Sequence, residues 1–473
     1  MATIANEMTA PRVIPRRLQM VEHRAVLAAG DAIAATAAVG VALWLWSIPA
    51  GWEFSSKTIA DRAWWFAAVP LWMIAAGLPA APASIAFSVR RTLLALARGA
   101  GILLIAYIGW YFYSPRGVLP RLVTVYFLWE AVLLTLAWRL VFISIFTRER
   151  FRQRAVIVGS GRAAALALST MRAHRARQAD VIGCVPAAGD ADSELDVPRI
   201  DPDRLLAFAA ERGVSELVLA LSRQPSDALL AALLACQEAG AQVVRVQTLI
   251  EQVHRRVPVD LLNPDWLMTD LADAMRVREA SWLAKRALDL TVGLIGLAAL
   301  LVVTPFVALA IWLDTGAPIF YRQQRLGRGG LPFTVIKFRT MRQDAERSGE
   351  ARWADRNDTR MTRAGRVLRK SRIDELPQVL NILRGEMSIV GPRPERREFI
   401  DHLQEAIPFY RARLMVPPGL TGWAQVNLPY GDSVDAARLK LEYDLYYVKH
   451  RSLLFDLAIL LRTVGTVLGF RGQ

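Results

Sequence analysis

Adjacent carboxylates at Asp374 and Glu375 stand in the run Arg369-Lys-Ser-Arg-Ile-Asp-Glu-Leu-Pro-Gln, ringed by fixed positive charge. Pro377 is tolerated in a helix only within the first turn, so the helix holding Gln378 to Leu383 is predicted to begin at or just before Asp374. Both acids then lie at a positive helix end, which stabilises anions and offers free N–H groups to phosphate oxygens. Neighbours on a helix diverge by about 100°, so the two carboxylates can face one pocket and do different work. Ionised carboxylates in such a place suit a nucleophile or the ligands of a hard cation. Without imidazole or thiolate support, that cation is magnesium rather than zinc. Five scattered histidines and two cysteines, Cys184 and Cys236, offer no zinc spacing, and so few cysteines suit a reducing compartment. The chemistry that such a group can do is attack on a phosphate anhydride, with its oxygens screened and its developing charge met by fixed cations.

The elements that must position this pair are partly in lipid. A hydrophobic fraction of 53% and mean hydropathy of +0.26 over 473 residues exceed what a soluble protein of ordinary composition carries. The formal charge of +15 therefore points to an anionic bilayer face or phosphorylated substrates rather than to nucleic acid. Four apolar stretches, 25–48, 63–83, 99–113 and 122–146, read as spanning helices. Arginines gather before the first stretch, at Arg90, Arg91 and Arg98, and at Arg148 to Arg154, which puts both ends of this bundle in the cytoplasm. Glu130 and Arg139, nine positions apart in the fourth stretch, fall on opposite helix faces and face neighbouring helices rather than each other. A fifth stretch, 287–313, is long enough to cross, yet Lys285 and Arg286 before it and Arg322, Arg325 and Arg328 after it both ask for the cytoplasm. Pro305 sits near its middle, costing about 3 kcal/mol in a straight helix. A re-entrant bend at Thr304-Pro305, with the Thr304 hydroxyl serving the freed backbone, satisfies both. The apolar stretch Leu453 to Phe470, broken by Asp456 and Arg462, suits the interface.

Between the two membrane regions, residues 155–246 alternate short apolar runs with helical ones, the pattern of a parallel α/β domain of Rossmann-like type. Its first turn, Gly159-Ser160-Gly161-Arg162-Ala163-Ala164, has dinucleotide-fingerprint spacing. No acid stands at the end of the second strand near Val185, and the chain has no Tyr-x-x-x-Lys pair, so the turn reads as structural. Asp201 before Pro202 reads as a helix N-cap rather than half of a metal-binding Asp-x-Asp, and Asp190 and Asp192 as loop. The predicted organisation is a four-helix transmembrane bundle over 1–147, an α/β accessory domain over 148–275, and a mostly helical catalytic domain over 276–473.

The Asp-Glu-Leu-Pro-Gln string and Met387-Ser-Ile-Val-Gly-Pro-Arg-Pro394 resemble the bacterial sugar transferases that load a sugar phosphate onto a polyprenyl phosphate. Supporting matches are Gly316 to Gly327, the Lys337-Phe338-Arg339 signature, Gly419-Leu-Thr-Gly-Trp423 and Tyr443-Asp444. Ala317, Pro417 and Thr304 depart from the commoner residues without removing a charged group. The resemblance implies Asp374 as a nucleophile that forms a covalent phospho-sugar intermediate and releases UMP, and Glu375 as the ligand of Mg2+. It also implies roles around the phosphates for Lys337, Arg369, Arg339 and Arg413, a nucleotide-side role for Pro392-Arg393-Pro394, and an acidic-site role for Asp444. With six lysines against 52 arginines, a lysine kept at 337 hints that a compact ammonium is wanted there. The implied partners are a UDP-sugar, undecaprenyl phosphate and the bacterial inner membrane, with the site facing the cytoplasm. The step would start exopolysaccharide or capsule repeat-unit assembly, and the large front half suits a homodimer. A nucleotide-sugar dehydratase acting with NAD through residues 155–246, and a basic membrane scaffold, are the rival readings.

Overall fold

The computed structural model describes residues 20–51, 53–76, 89–113, 121–146, 153–175, 179–186, 195–221, 224–263, 266–271, 282–342, 360–429, 431 and 433–468. It divides into two compact units, 1–254 and 255–473.

Among the described residues of the first unit, three helices are long and apolar enough to cross a membrane: α1 (Met20–Ala50), α3 (Val89–Tyr113) and α4 (Arg121–Phe146). The predicted second crossing, 63–83, is instead a 3-10 turn over Ala63–Ala67 and a short helix α2 (Ala68–Ala75), with 77–83 outside the described residues. Conversely, the stretch predicted to begin at 99 starts ten residues earlier, because Arg90, Arg91 and Arg98 extend the helix instead of forming a loop. Among the described residues the fourth crossing-length helix is Trp282–Thr315, in the other unit. Ala35, Ala38 and Ala42 form a fully buried small-residue stripe on α1, in one core with Val123, Phe127 and Ala131 of α4. Arg139 is oriented by a partner from α1, not by Glu130: its Nε and Nη2 each lie 3.2 Å from an oxygen of Asp31. Both side chains are buried, at 2% and 0% exposure. Beside them Trp138 Nε1 donates to the Leu27 carbonyl at 3.2 Å, its ring filling the notch that Gly30 leaves.

The α/β portion is a four-stranded sheet in the order β2-β1-β3-β4, all parallel, from β1 (Gln153–Val158), β2 (Ala179–Val185), β3 (Glu216–Leu219) and β4 (Gln242–Arg245). Helices α5 (Arg162–Arg175), α6 (Leu205–Arg212), α7 (Asp227–Glu238) and α8 (Val246–His254) alternate with the strands. Gly159 adopts φ of +123°, and a Cβ there would stand 2.4 Å from the Ala220 carbonyl, so the fingerprint glycine is required by the crossing of two strand ends. Asp201 is an N-cap, accepting from the Asp203 N–H behind Pro202. Asp190, Asp192 and Arg148 to Arg152 lie outside the described residues.

The second unit begins before the predicted junction at 275/276, which falls outside the described residues. Val257, Val259, Trp266 and Leu271 already belong to its core, with Ile389, Val390, Trp423, Leu445 and Tyr447. Its membrane-grade helix α9 (Trp282–Thr315) is helical on both sides of Pro305. Thr304 Oγ1 bonds to Leu300 O at 2.6 Å, one residue short of the Leu301 carbonyl that Pro305 frees. Near one end of α9, Arg286 donates to the Ile382 and Leu383 carbonyls (2.8 and 2.7 Å); at the other, Asp314 accepts from Ala364 N–H (2.8 Å). Around it fold the antiparallel hairpin β5 (Phe320–Leu326) and β6 (Pro332–Phe338), helices α10 (Arg363–Lys370), α11 (Val379–Arg384) and α12 (Arg397–Ala406), and the parallel pair β7 (Ser388–Val390) and β8 (Gly419–Thr421). Helices α13 (Val434–His450) and α14 (Leu453–Leu468) complete it. The charges that break the apolar run of α14 are tertiary partners: Asp456 pairs with Lys285 at 3.1 Å, and Arg462 lies over the Trp423 ring at 4.8 Å.

Candidate active site

Asp374 and Glu375 open a 3-10 turn, Ile373–Gln378, that runs directly into α11. The predicted helix start is therefore right in place and tighter in winding, because Pro377 follows so closely. Arg372 enters the turn at φ of +60°. Asn381, fully buried on α11, fixes β6 alongside: its Nδ2 donates to Thr334 O (2.7 Å) and Glu386 Oε2 (2.7 Å), and its Oδ1 accepts from Ile336 N–H (3.3 Å). That clamp sets Lys337, the next residue, opposite the turn.

Glu375 is consumed by cations. Its Oε1 accepts from Lys337 Nζ at 2.9 Å and Arg393 Nη2 at 2.6 Å, and Arg372 reaches Oε2 at 3.5 Å. Burial would raise its carboxyl, but Arg393, Lys337 and Arg372 outweigh burial and hold it well below the ordinary range. Asp374, equally buried at 7% exposure, is pushed up to about 6, first by burial and then by the charge of Glu375, against Lys337, Arg369 and Arg393. Burial also pulls Lys337 down, against Glu375. Two neighbouring acids are thus driven apart: Glu375 is held ionised by the cations around it, chiefly through Oε1, and Asp374 is still mostly ionised at neutral pH.

The other predicted residues sort by distance from this pair. Arg369 acts on Asp374 by charge and donates its Nε to Thr340 Oγ1 at 3.0 Å. Arg393, between Pro392 and Pro394 in the turn after β7, touches Glu375 directly. Arg413 and Asp444 stand behind that turn: they pair with each other at 2.7 Å, and Arg413 also pairs with Glu395 at 2.6 Å. Arg413 donates to the Arg393 carbonyl at 3.1 Å, so it fixes the backbone of the residue that holds Glu375. Arg339 turns away, donating to the Thr315 hydroxyl (2.7 Å) and to the carbonyls of Thr315 and Gly316, where it caps α9. Thr304 and Pro305 lie within α9. Sequence reasoning missed Arg372, Asn381 and Glu395; only Asn381, a lone amide in the apolar run Val379 to Leu383, carried a local signal.

No group of three or more ligating side chains forms a ready-made metal cage among the described residues. The donor set still fits magnesium, which is commonly held by one or two carboxylates with the rest of its shell from phosphate and water. Glu375 Oε2, whose Arg372 contact is the long one, and Asp374 are the oxygens that would hold it.

A family model described as bacterial sugar transferase matches residues 280–470. The chain is similar to the UDP-N-acetylgalactosamine-undecaprenyl-phosphate N-acetylgalactosaminephosphotransferase of Aeromonas hydrophila, 38% identical over 233 residues, which cover 49% of this chain and 54% of that protein. It is also similar to the UDP-glucose:undecaprenyl-phosphate glucose-1-phosphate transferase of Caulobacter vibrioides, 42% identical over 45% of this chain and 79% of that one. The undecaprenyl-phosphate glucose phosphotransferase of Komagataeibacter xylinus is 33% identical over 67% of this chain and 59% of its own length. The match thus spans about half the length of the Aeromonas relative.

Proposed function

This chain belongs to the bacterial sugar transferase family, and on that premise we propose that it transfers a hexose-1-phosphate from a UDP-sugar to undecaprenyl phosphate, releasing UMP. An Asp374 oxygen attacks the phosphorus that bears the sugar, the bond from that phosphorus to the oxygen of the nucleotide phosphate breaks, and UMP departs with that oxygen. A phosphate oxygen of the lipid then attacks the same phosphorus and returns the Asp374 carboxylate. Lys337 and Arg393 meet the charge that develops on the transferred group, and Arg413 keeps Arg393 in place. Glu375 and Asp374 would hold magnesium, which would supply positive charge against the pyrophosphate oxygens.

The observation that carries this reading is the electrostatic division of the acidic pair, which leaves Asp374 buried, raised to about 6 and without a cation of its own as close as those on Glu375. We take α9 as re-entrant. Arg286 near one end and Asp314 at the other bond to the same folded unit, which suits a helix that enters and leaves by one face. The site then faces the cytoplasm of a bacterial inner-membrane protein, where nucleotide sugars are made. Radiolabelled UDP-hexose with undecaprenyl phosphate and magnesium tests it: UMP release must vanish in Asp374→Asn, and donor alone must leave a sugar-phosphate adduct on the peptide holding Asp374. Undiminished turnover in that variant would remove the proposal.

A further inference from the structure

Arg325 near the end of β5 has no part in the mechanism above, and its surroundings are unusual. The Leu326 N–H donates to the Glu395 carbonyl at 3.1 Å, which pins the end of β5 onto the turn that carries Arg393, Glu395 and Arg396. In the hairpin, Tyr321 pairs with Lys337 and Arg325 with Phe333, so Arg325 and Lys337 lie on the same face, toward opposite ends. Arg393 joins the two, touching Glu375 alongside Lys337 and acting by charge on Arg325. Three guanidiniums, Arg325, Arg393 and Arg396, are thereby gathered beside the N-terminus of α12.

Arg393 already has Glu375 as a counter-ion at 2.6 Å, so the question falls on Arg325. Arg325 donates to the neutral Gln323 Oε1 at 2.6 Å. The nearby Glu395 is already engaged by Arg413 at 2.6 Å, by Lys440 and by the Tyr410 hydroxyl. Glu398 lies 3.4 Å from Arg396 but is mostly exposed and displaceable. Burial, Arg393 and Arg396 hold Arg325 down to about 10, so it stays charged at neutral pH among like charges. An anion arriving here relieves that repulsion.

Which anion follows from the position relative to lipid. Arg369, on the other flank of Asp374, sits on α10, which shares a core with α9: Leu368 packs with Val307 and Ile311. Arg325 lies five residues of extended strand beyond Phe320, roughly 17 Å farther from the end of α9 at about 3.3 Å per residue. A lipid phosphate must reach Asp374 from the bilayer, and a soluble leaving group must depart toward water. We propose, resting on the function proposed above, that Arg325 with Arg393 and Arg396 holds the phosphate that leaves with the nucleoside, and so serves UMP and the donor but not the lipid acceptor.

The test uses the full-length protein in detergent, with UMP as the probe. In Arg325→Gln, the UMP inhibition constant and the donor KM should each rise at least tenfold while the undecaprenyl phosphate KM stays within twofold. Arg325→Lys should recover part of the loss, since it restores the charge without the planar fork. Arg396→Gln should shift the same two constants in the same direction, and the melting temperature of Arg325→Gln should not fall. UMP inhibition within twofold of wild type in Arg325→Gln, or a rise confined to the acceptor KM, overturns the assignment. Wild-type protein that releases no UMP from any UDP-sugar overturns the functional reading itself, and this assignment with it.

Discussion

At the residue scale, the site rests on making neighbouring carboxylates unlike. A carboxyl that titrates at about 6 in the folded chain, against an ordinary 3.8, binds its proton more tightly when folded. Its ionisation therefore withdraws stability as pH rises from about 4 to about 6, on the order of 2–3 kcal/mol. Asp374→Asn is expected to abolish UMP release yet raise the melting temperature at pH 7.5, with the gain shrinking toward pH 5; a melting temperature lowered equally at both would contradict this. The rate should fall through an acid limb near pH 6 as Asp374 takes up its proton. Glu375 has the opposite sign: its folded value is depressed, so its contribution is present above its unfolded value and lost as pH falls through the folded one. Glu375→Gln strands Lys337, Arg393 and Arg372 without their counter-ion and should cost about 1–3 kcal/mol, read by thermal unfolding in detergent, since those cations are partly solvated.

At the element scale, the geometry is imposed by pieces that carry no charge to the substrate. Asn381→Ala would orphan Thr334 O, Ile336 N–H and the Glu386 carboxylate, costing on the order of 2–4 kcal/mol and loosening Lys337; unchanged melting and turnover would remove Asn381 from this role. The acid pair, its proline and the helix they begin were legible in sequence because their constraint is local. So was Asp201, a cap whose partner is two residues away. The pairing of Asp31 with Arg139 spans 108 positions, and that of Arg413 with Asp444 depends on how β7, β8 and α13 pack, so neither had a local trace. Arg90 and Arg91 misled for another reason: arginine marks the cytoplasmic side but also continues a helix well, so the loop expected there is the first turn of α3. The bend in α9 has its own check. Cysteines placed at Leu283 and Arg322, over a background of the buried Cys184 and Cys236, should both react with an impermeant maleimide in inside-out vesicles and neither in intact cells. Labelling from opposite sides would mean that α9 crosses.

At the scale of the whole molecule, the unit that holds the candidate site is larger than its family signature. The family match starts at residue 280, whereas the compact unit starts at Arg255. The described part of that difference, 255–263 and 266–271, is a strap fastened to α13 and Trp423. Glu442 accepts from Val259 N–H (3.2 Å) through Oε1, pairs with Arg256 (2.9 Å) through Oε2, and receives Val257 N–H on its carbonyl (3.0 Å). Trp423 Nε1 donates to the Arg255 carbonyl at 2.9 Å, and Arg438 pairs with Asp260 at 2.6 Å. Val257, Val259, Trp266 and Leu271 are buried beneath these bonds. Glu442 is two residues from Asp444 on α13, and Asp444 holds Arg413, which holds the backbone of Arg393. Removing the strap would delete four buried apolar side chains, worth about 1.5–3 kcal/mol each, and uncover the core they cover, a loss near the whole stability of an ordinary domain. A detergent-solubilised chain starting at residue 255 should therefore melt cooperatively and release UMP, while one starting at residue 280 should aggregate or melt far lower. Equal melting temperatures and equal turnover for the two would show that the strap merely lies on the unit instead of completing its core.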